Sequence, residues 1–344
     1  MSDAPMRPIR TVPTGREIAH ARLRPVMGGE SSPTRVVIDC DTGVDDTMAV
    51  FYGLLAPHIE VVGLTCVWGN IGVDLTTTNT LRLLEMMGRP EIPVARGAEK
   101  PLLGPKWPLG QGVHGADGQG NLNLPPPTLQ PVKETAVELI VKLAHEHPGE
   151  LTLVPTGPLT NVAAAVLADP EIAKLYKNVV LMGGAFLARG NAARWGEANI
   201  WHDPEAAQVV LEAGWDVTAV GLDVTDRTML SQERLDMLRD SGTVAGKHIH
   251  AITGFYVDTY SKRTGRRECA MHDALALAVA ADPSLVLEAQ KVRVDVELNG
   301  THTRGMTVGD FRRWVEHDDA NCTVVLEVDR ERFITTWMET LSRP

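Results

Sequence analysis

From residue 35 onward the chain alternates, without an internal sequence repeat, between short runs of aliphatic and β-branched residues and segments with helical spacing of their apolar side chains. Arg35-Val36-Val37-Ile38 leads to a helix predicted over residues 47–55. Residues 59–66 lead to one over 76–87, and residues 92–95 form a short third strand. Residues 151–154, 179–182 and 217–220 continue the series, separated by helices over 159–167 and 204–213. Strands this uniformly apolar need cover on both faces, and helices between successive strands make their neighbours parallel. The expected fold is therefore α/β, with a mostly parallel central sheet flanked by helices.

Helices are further predicted over 232–240, 244–260, 274–281 and after Arg330, and strands over 292–298 and 323–328. Residues 101–131, rich in Pro and Gly, read as a long surface loop, the kind of segment that carries binding functions, before a helix over 132–146. Residues 1–33 show no periodicity and read as a flexible extension. A chain that is 44% hydrophobic and 22% charged does not have the composition of a disordered one. Its formal net charge of -11 gives no general attraction for polyphosphate or anionic lipid, so neither nucleic acid nor membrane is an expected partner. Cys40, Cys66, Cys269 and Cys322 are too scattered for a disulfide framework. With no secretory or membrane-spanning stretch, the expected location is the cytoplasm.

The densest chemistry lies in Asp39-Cys40-Asp41-Thr42-Gly43-Val44-Asp45-Asp46, directly after the first strand. Four carboxylates this close need a cation or open solvent, and the carboxyl end of a strand in an open α/β sheet is where ligands bind. Asp41, Asp45 and Asp46 suit a hard ion, calcium or magnesium, with Gly43 permitting an unusual turn. The competing reading is a solvated acidic helix cap. His272-Asp273 offers a second piece, or else a local hydrogen bond and a cap for the helix that follows.

The segment resembles the DxDPGxDD opening of the inosine-uridine type nucleoside hydrolases. Thr156-Gly157-Pro158-Leu159-Thr160-Asn161, Met182-Gly183-Gly184, Gly190-Asn191, Glu197-Ala198-Asn199, Asp203-Pro204-Glu205 and His272-Asp273 follow in that family's order, over roughly residues 35 to 330. The resemblance implies one catalytic domain over residues 34–344 and calcium held by Asp41, Asp46, the Thr156 carbonyl and Asp273. It further implies Asp45 as a ribose ligand that shares the sugar site with Asp273, Asn70, Asn191, Glu197 and Asn199. Each polar residue also has a plainer reading: Asn70 and Asn191 as turn residues, Glu197 as a surface acid, Asn199 as a partner for loop backbone. Thr42 stands where the opening usually has Pro, so the turn loses a fixed φ.

The implied reaction is hydrolysis of a ribonucleoside to ribose and a free base. Asp41 accepts a proton from water, which attacks directly and inverts the anomeric carbon. His272 is assigned to the leaving base, with His114 as a second histidine near it or as a support for its loop. Phe255, Tyr256, Tyr260 and Trp201 are either stacking surface or packing. A non-nucleoside N-riboside hydrolase and a catalytically silent nucleoside-binding protein are the alternatives, and the family implies a homodimer or homotetramer. Gly110-Gln111-Gly112-Val113-His114-Gly115 fits GxGxxG but neither follows a strand nor opens a helix, which argues against a dinucleotide site.

Overall fold

The computed structural model describes residues 32–343 apart from residue 107, so nearly all of the expected N-terminal extension lies outside the described residues. The first half runs β1 (Thr34–Cys40), α1 (Val44–Leu55), β2 (Ile59–Cys66), α2 (Val73–Met86), β3 (Val94–Arg96), α3 (Gln111–His114), α4 (Ala136–Glu146) and β4 (Leu151–Pro155). The chain continues through α5 (Thr160–Ala168), α6 (Ile172–Leu175), β5 (Asn178–Met182), α7 (Ala198–His202), α8 (Pro204–Glu212), β6 (Val217–Val220) and α9 (Leu222–Thr225). It then forms β7 (Met229–Ser231), α10 (Gln232–Asp240), α11 (Val244–Thr264), β8 (Glu268–Ala270) and α12 (His272–Ala281). Last come β9 (Val286–Val292), β10 (Val294–Val296), β11 (Thr307–Gly309), β12 (Cys322–Val328) and α13 (Arg330–Leu341).

Eight strands make the central sheet in the order β3-β2-β1-β4-β5-β6-β12-β9, all pairs parallel except β12 with the edge strand β9. Successive strands add to one side from β1 to β3 and to the other from β4 onward. The direction of winding therefore reverses between β1 and β4, and a crevice opens beyond their carboxyl ends. Register sets Asp39, near the end of β1, opposite Thr65 of β2 and Pro155 of β4.

Alternate side chains of β1 enter two cores. Val36, Ile38 and Cys40 pack with Met48 and Phe51 of α1 and Leu275 of α12 on one face, while Val37 packs with Leu139 and Ile140 of α4 and Val162 of α5 on the other. Uninterrupted apolar strands are thus explained by helices on both faces.

Several boundaries differ from the sequence reading. The helix expected over 132–146 starts at Ala136, because Thr135 caps it and Glu138 closes a capping box. The expected 292–298 strand is broken at Arg293 into β9 and β10, and β9 runs antiparallel at the sheet edge. The 101–131 loop contains α3. The short pairings β7 with β8 and β10 with β11 carried no signal strong enough to be read, at three residues per strand.

Candidate active site

Asp41, Thr42 and Gly43 carry the chain from β1 into α1 at the crevice. Asp46 caps the helix it sits on: its Oδ2 accepts from the Gly43 N–H at 2.9 Å and its Oδ1 from the Asp41 N–H at 3.3 Å. The cap reading of the segment is thus correct for Asp46, but the segment is not solvated. Asp39, Asp41, Asp45 and Asp46 are all buried. Gly43 has ordinary extended backbone, φ −97° and ψ −153°, so the expected unusual turn is absent. What excludes a larger residue is space, since a Cβ there would lie 2.5 Å from His114 Nδ1 and 2.7 Å from Asn70 Nδ2.

Asn70 organises the acids. Its backbone N–H donates to Asp41 Oδ2 at 2.7 Å, and its amide reaches Asp41 Oδ1 at 3.2 Å and Asp46 Oδ2 at 3.1 Å. Thr156, just beyond β4, donates its hydroxyl to Asp46 Oδ1 at 3.0 Å. α12 packs against α1 and brings Asp273 in from far along the sequence. Carboxylate oxygens of Asp45, Asp46 and Asp273 then lie within 4.8 Å of one another. Asp41 is outside that triad, joined to it through Asn70 and through its own N–H, which donates to Asp46.

Burial, and then repulsion from Asp46, pushes Asp45 up to about 7. Burial and the neighbouring acids raise Asp41 and Asp273 well above the ordinary carboxylate range. Among the described residues Asp45 Oδ1 is buried without a hydrogen-bond partner. Two oxygens on one calcium ion at about 2.4 Å lie no more than about 4.8 Å apart, so the triad fits a hard divalent cation on spacing and on donor type.

Beyond the triad opens a cavity of about 330 Å³ lined by Asp45, Asn70, His114, Thr156, Asn191, Glu197, Asn199, Tyr256, Tyr260, His272 and Asp273. Every catalytic, metal or sugar residue expected from the sequence lines it except Asp41 and Asp46, and those two are hydrogen-bonded to Asn70 and Thr156 of its wall. His114 is not on a flexible loop. It is buried on α3, its Nδ1 accepts from the Val44 N–H at 3.2 Å, and its ring lies 5.2 Å from that of Tyr256. An accepting Nδ1 leaves the ring proton on Nε2, and burial holds His114 near 3, so it is neutral. His272 sits between two hydroxyls, Tyr260 at 2.6 Å from Nε2 and Thr225 at 2.7 Å from Nδ1, and burial lowers it to about 4.

Glu197 is no surface acid. It caps α7 and accepts from the Asn199, Ile200 and Gly184 N–H groups. Asn199 donates to the carbonyls of Thr156 at 2.8 Å and Met182 at 3.0 Å, and exposed Asn191 accepts from the Ala198 N–H at 2.9 Å. Their plainer roles, in backbone pairing, coexist with places on the cavity wall. Tyr256, Tyr260 and Trp201 line the cavity and Phe255 does not. Sequence reading missed Thr225, which touches His272 only through the fold. The spacing of Tyr256 and Tyr260, one turn apart on α11, was the available signal that both face one way.

A family model described as inosine-uridine preferring nucleoside hydrolase matches residues 36–335. A probable uridine nucleosidase 2 of Arabidopsis thaliana is 38% identical over 89% of this chain and 97% of its own length. An inosine-uridine preferring nucleoside hydrolase of Leishmania major is 37% identical over 90% and 98%. Among solved structures, a plant nucleoside hydrolase superposes with a TM-score of 0.86 at 35% identity, covering 91% of this chain and 100% of that one. A purine-preferring ribonucleoside hydrolase from Gardnerella vaginalis does so with a TM-score of 0.84 at 36% identity, covering 90% and 98%. With the motifs in order and the acids gathered at the switch point of the sheet, the chain belongs to the nucleoside hydrolase family and is an enzyme of that family.

Proposed function

We propose that this enzyme is a calcium-dependent hydrolase of ribonucleosides that releases ribose and the free base. The observation that supports it most is the convergence of buried Asp45, Asp46 and Asp273 beside a cavity whose wall carries Asp45, Asp273 and two neutral histidines. Asp41, Asp46, Asp273 and the Thr156 carbonyl are the proposed calcium ligands, with Asp45 at the ribose hydroxyls. The triad spacing makes Asp45 a further candidate ligand. When bound, calcium would supply Lewis-acid polarisation of water and fix the sugar hydroxyls.

Asp41 is the proposed general base. Asn70 holds both of its oxygens by one lone pair each, which fixes their direction and leaves the remaining lone pairs to accept a proton from water. The surrounding carboxylates favour an oxocarbenium-like sugar over the neutral ground state. Asn191, with its amide NH₂ free of the Ala198 contact, Glu197 and Asn199 hold the rest of the ribose and keep C1' in line with the water. Neutral His272 and the Tyr260 hydroxyl 2.6 Å away can pass a proton toward the departing base, and His114, whose ring packs on Tyr256, is a second candidate on the same wall. Nucleoside salvage in the cytoplasm and a homodimer or homotetramer belong to the same reading and rest on family membership.

The test is release of free ribose from a panel of ribonucleosides, their 2'-deoxy analogues and a ribosylated nicotinamide-like compound, with chelated and calcium-restored protein. Activity should need calcium and should fall steeply without the 2'-hydroxyl, because its buried partners are then left unpaired. Full activity in metal-free protein, or equal kcat/KM for a nucleoside and its 2'-deoxy analogue, refutes the assignment.

A further inference from the structure

Thr42 lies between Asp41 and Gly43, where the resembled opening carries Pro, and a pyrrolidine ring would fix φ at that point of the turn. The structure shows what holds the turn here. Thr42 is fully buried, and its Oγ1 lies 2.6 Å from Thr80 Oγ1 on α2. Thr80 donates its own hydroxyl proton to the Thr76 carbonyl at 2.9 Å, so the proton between the two threonines is Thr42's. Thr80 Oγ1 also accepts from the Cys66 thiol at 3.3 Å. One residue earlier on the same helix, the Asn79 amide donates to the Thr42 carbonyl at 3.2 Å and to the Asp117 carbonyl at 2.9 Å. Arg82 donates to Asn79 Oδ1 at 2.7 Å, which fixes which way that amide faces. Consecutive residues of α2 therefore grip Thr42 at its side chain and at its carbonyl.

Among the described residues the backbone N–H of Thr42 makes no hydrogen bond; the N–H groups on either side of it are tied to Asp46, and its own carbonyl and the shorter of its hydroxyl contacts are held from α2. We infer that the Thr42–Thr80 hydroxyl bond, with Asn79, is a positioning clamp that replaces a fixed φ and sets the acidic turn for calcium and for Asp41. The clamp rests on the proposed calcium site, and it concerns residues that touch neither ion nor substrate. Without the Thr80 hydroxyl, the Thr42 side chain retains only the Cys40 sulfur, a weak acceptor at 3.3 Å, and of the contacts from α2 only the Asn79 bond to its carbonyl is left to hold the residue.

Five variants test it: Thr42→Val, Thr80→Val, the double variant, Thr42→Pro, and Thr42→Pro with Thr80→Val. Calcium Kd is measured by calorimetry on metal-depleted protein, kcat at saturating calcium, and Tm beside both. Loss of one buried hydrogen bond should weaken calcium by roughly 5- to 20-fold in each single Val variant. The double variant should be no worse than either single one, since both remove the same interaction. Thr42→Pro has no N–H bond to lose and should bind calcium like the original, and Thr80→Val should then be silent in that background. If Thr42→Val does not fold, Thr80→Val in the Thr and Pro backgrounds gives the same comparison. Unchanged calcium Kd in the Val variants with only a lower Tm overturns the clamp, as does an equal Thr80→Val penalty in both backgrounds. Original protein that binds no calcium overturns the calcium site and the clamp together.

Discussion

Gly43→Ala adds one methyl group at the most crowded point of the site. A Cβ on Gly43 would stand 2.5 Å from His114 Nδ1 and 2.7 Å from Asn70 Nδ2, against a normal carbon–nitrogen approach near about 3.5 Å. One or both groups must therefore retreat by about 1 Å. Neither is a loose side-chain end, because Asn70 holds Asp41 and Asp46, and His114 accepts from the Val44 N–H and packs on Tyr256. The backbone itself tolerates alanine at φ −97°, so the entire effect is displacement. A misplacement of about 1 Å in a catalytic array costs on the order of 10²-fold in rate. Overpacking destabilises by about 1–3 kcal/mol, of which the lower unfolded-chain entropy of alanine returns about 0.4–1 kcal/mol. Turnover should thus collapse about 10²-fold in a protein that remains folded at assay temperature, read by kcat with saturating calcium and by thermal unfolding. A kcat within about threefold of the original would mean that Asn70 and His114 can yield without disturbing the acids, and the positioning argument would fail.

Two further outcomes follow from the site. Asp41→Asn keeps volume and one oxygen but removes the proton acceptor, so metal-saturated kcat should fall roughly 10²- to 10⁴-fold; a near-original value would transfer water activation to another residue, Asp45 first. Burial lowers His114 to about 3 and His248 and His272 to about 4, so these groups add stability above pH 6.5 that is lost as pH falls toward those values. Asp39 and Asp45, raised by burial to about 7, act in the opposite sense, adding stability as pH falls from 7 toward 3.8, provided that no cation holds them ionised. Calcium-loaded protein should therefore lose Tm between pH 7 and 5 more steeply than chelated protein. Parallel Tm curves would show that the acids are not linked to calcium.

Sequence alone determined the layers of the fold and the location of the chemistry. Uniformly apolar strands alternating with amphipathic helices admit few solutions other than a parallel sheet covered on both faces, and an acidic run at the carboxyl end of the first strand belongs to the crevice of such a sheet. A helix cap was legible only as a competing reading of the whole acidic segment, and the structure assigns it to Asp46, three residues after the N-cap. Tertiary structure decided everything that depends on elements distant along the chain. Whether the acids face solvent or are buried beside a cavity depends on α12 packing on α1 and carrying Asp273 to the triad, and no local pattern encodes that pairing. The same holds for His272, whose Thr225 and Tyr260 partners lie 47 and 12 residues away, and for Thr42, gripped by Thr80 across 38 residues. Residue periodicity reports which face of an element is buried; it carries no information about which other element covers it, and that pairing turned scattered polar residues into one site.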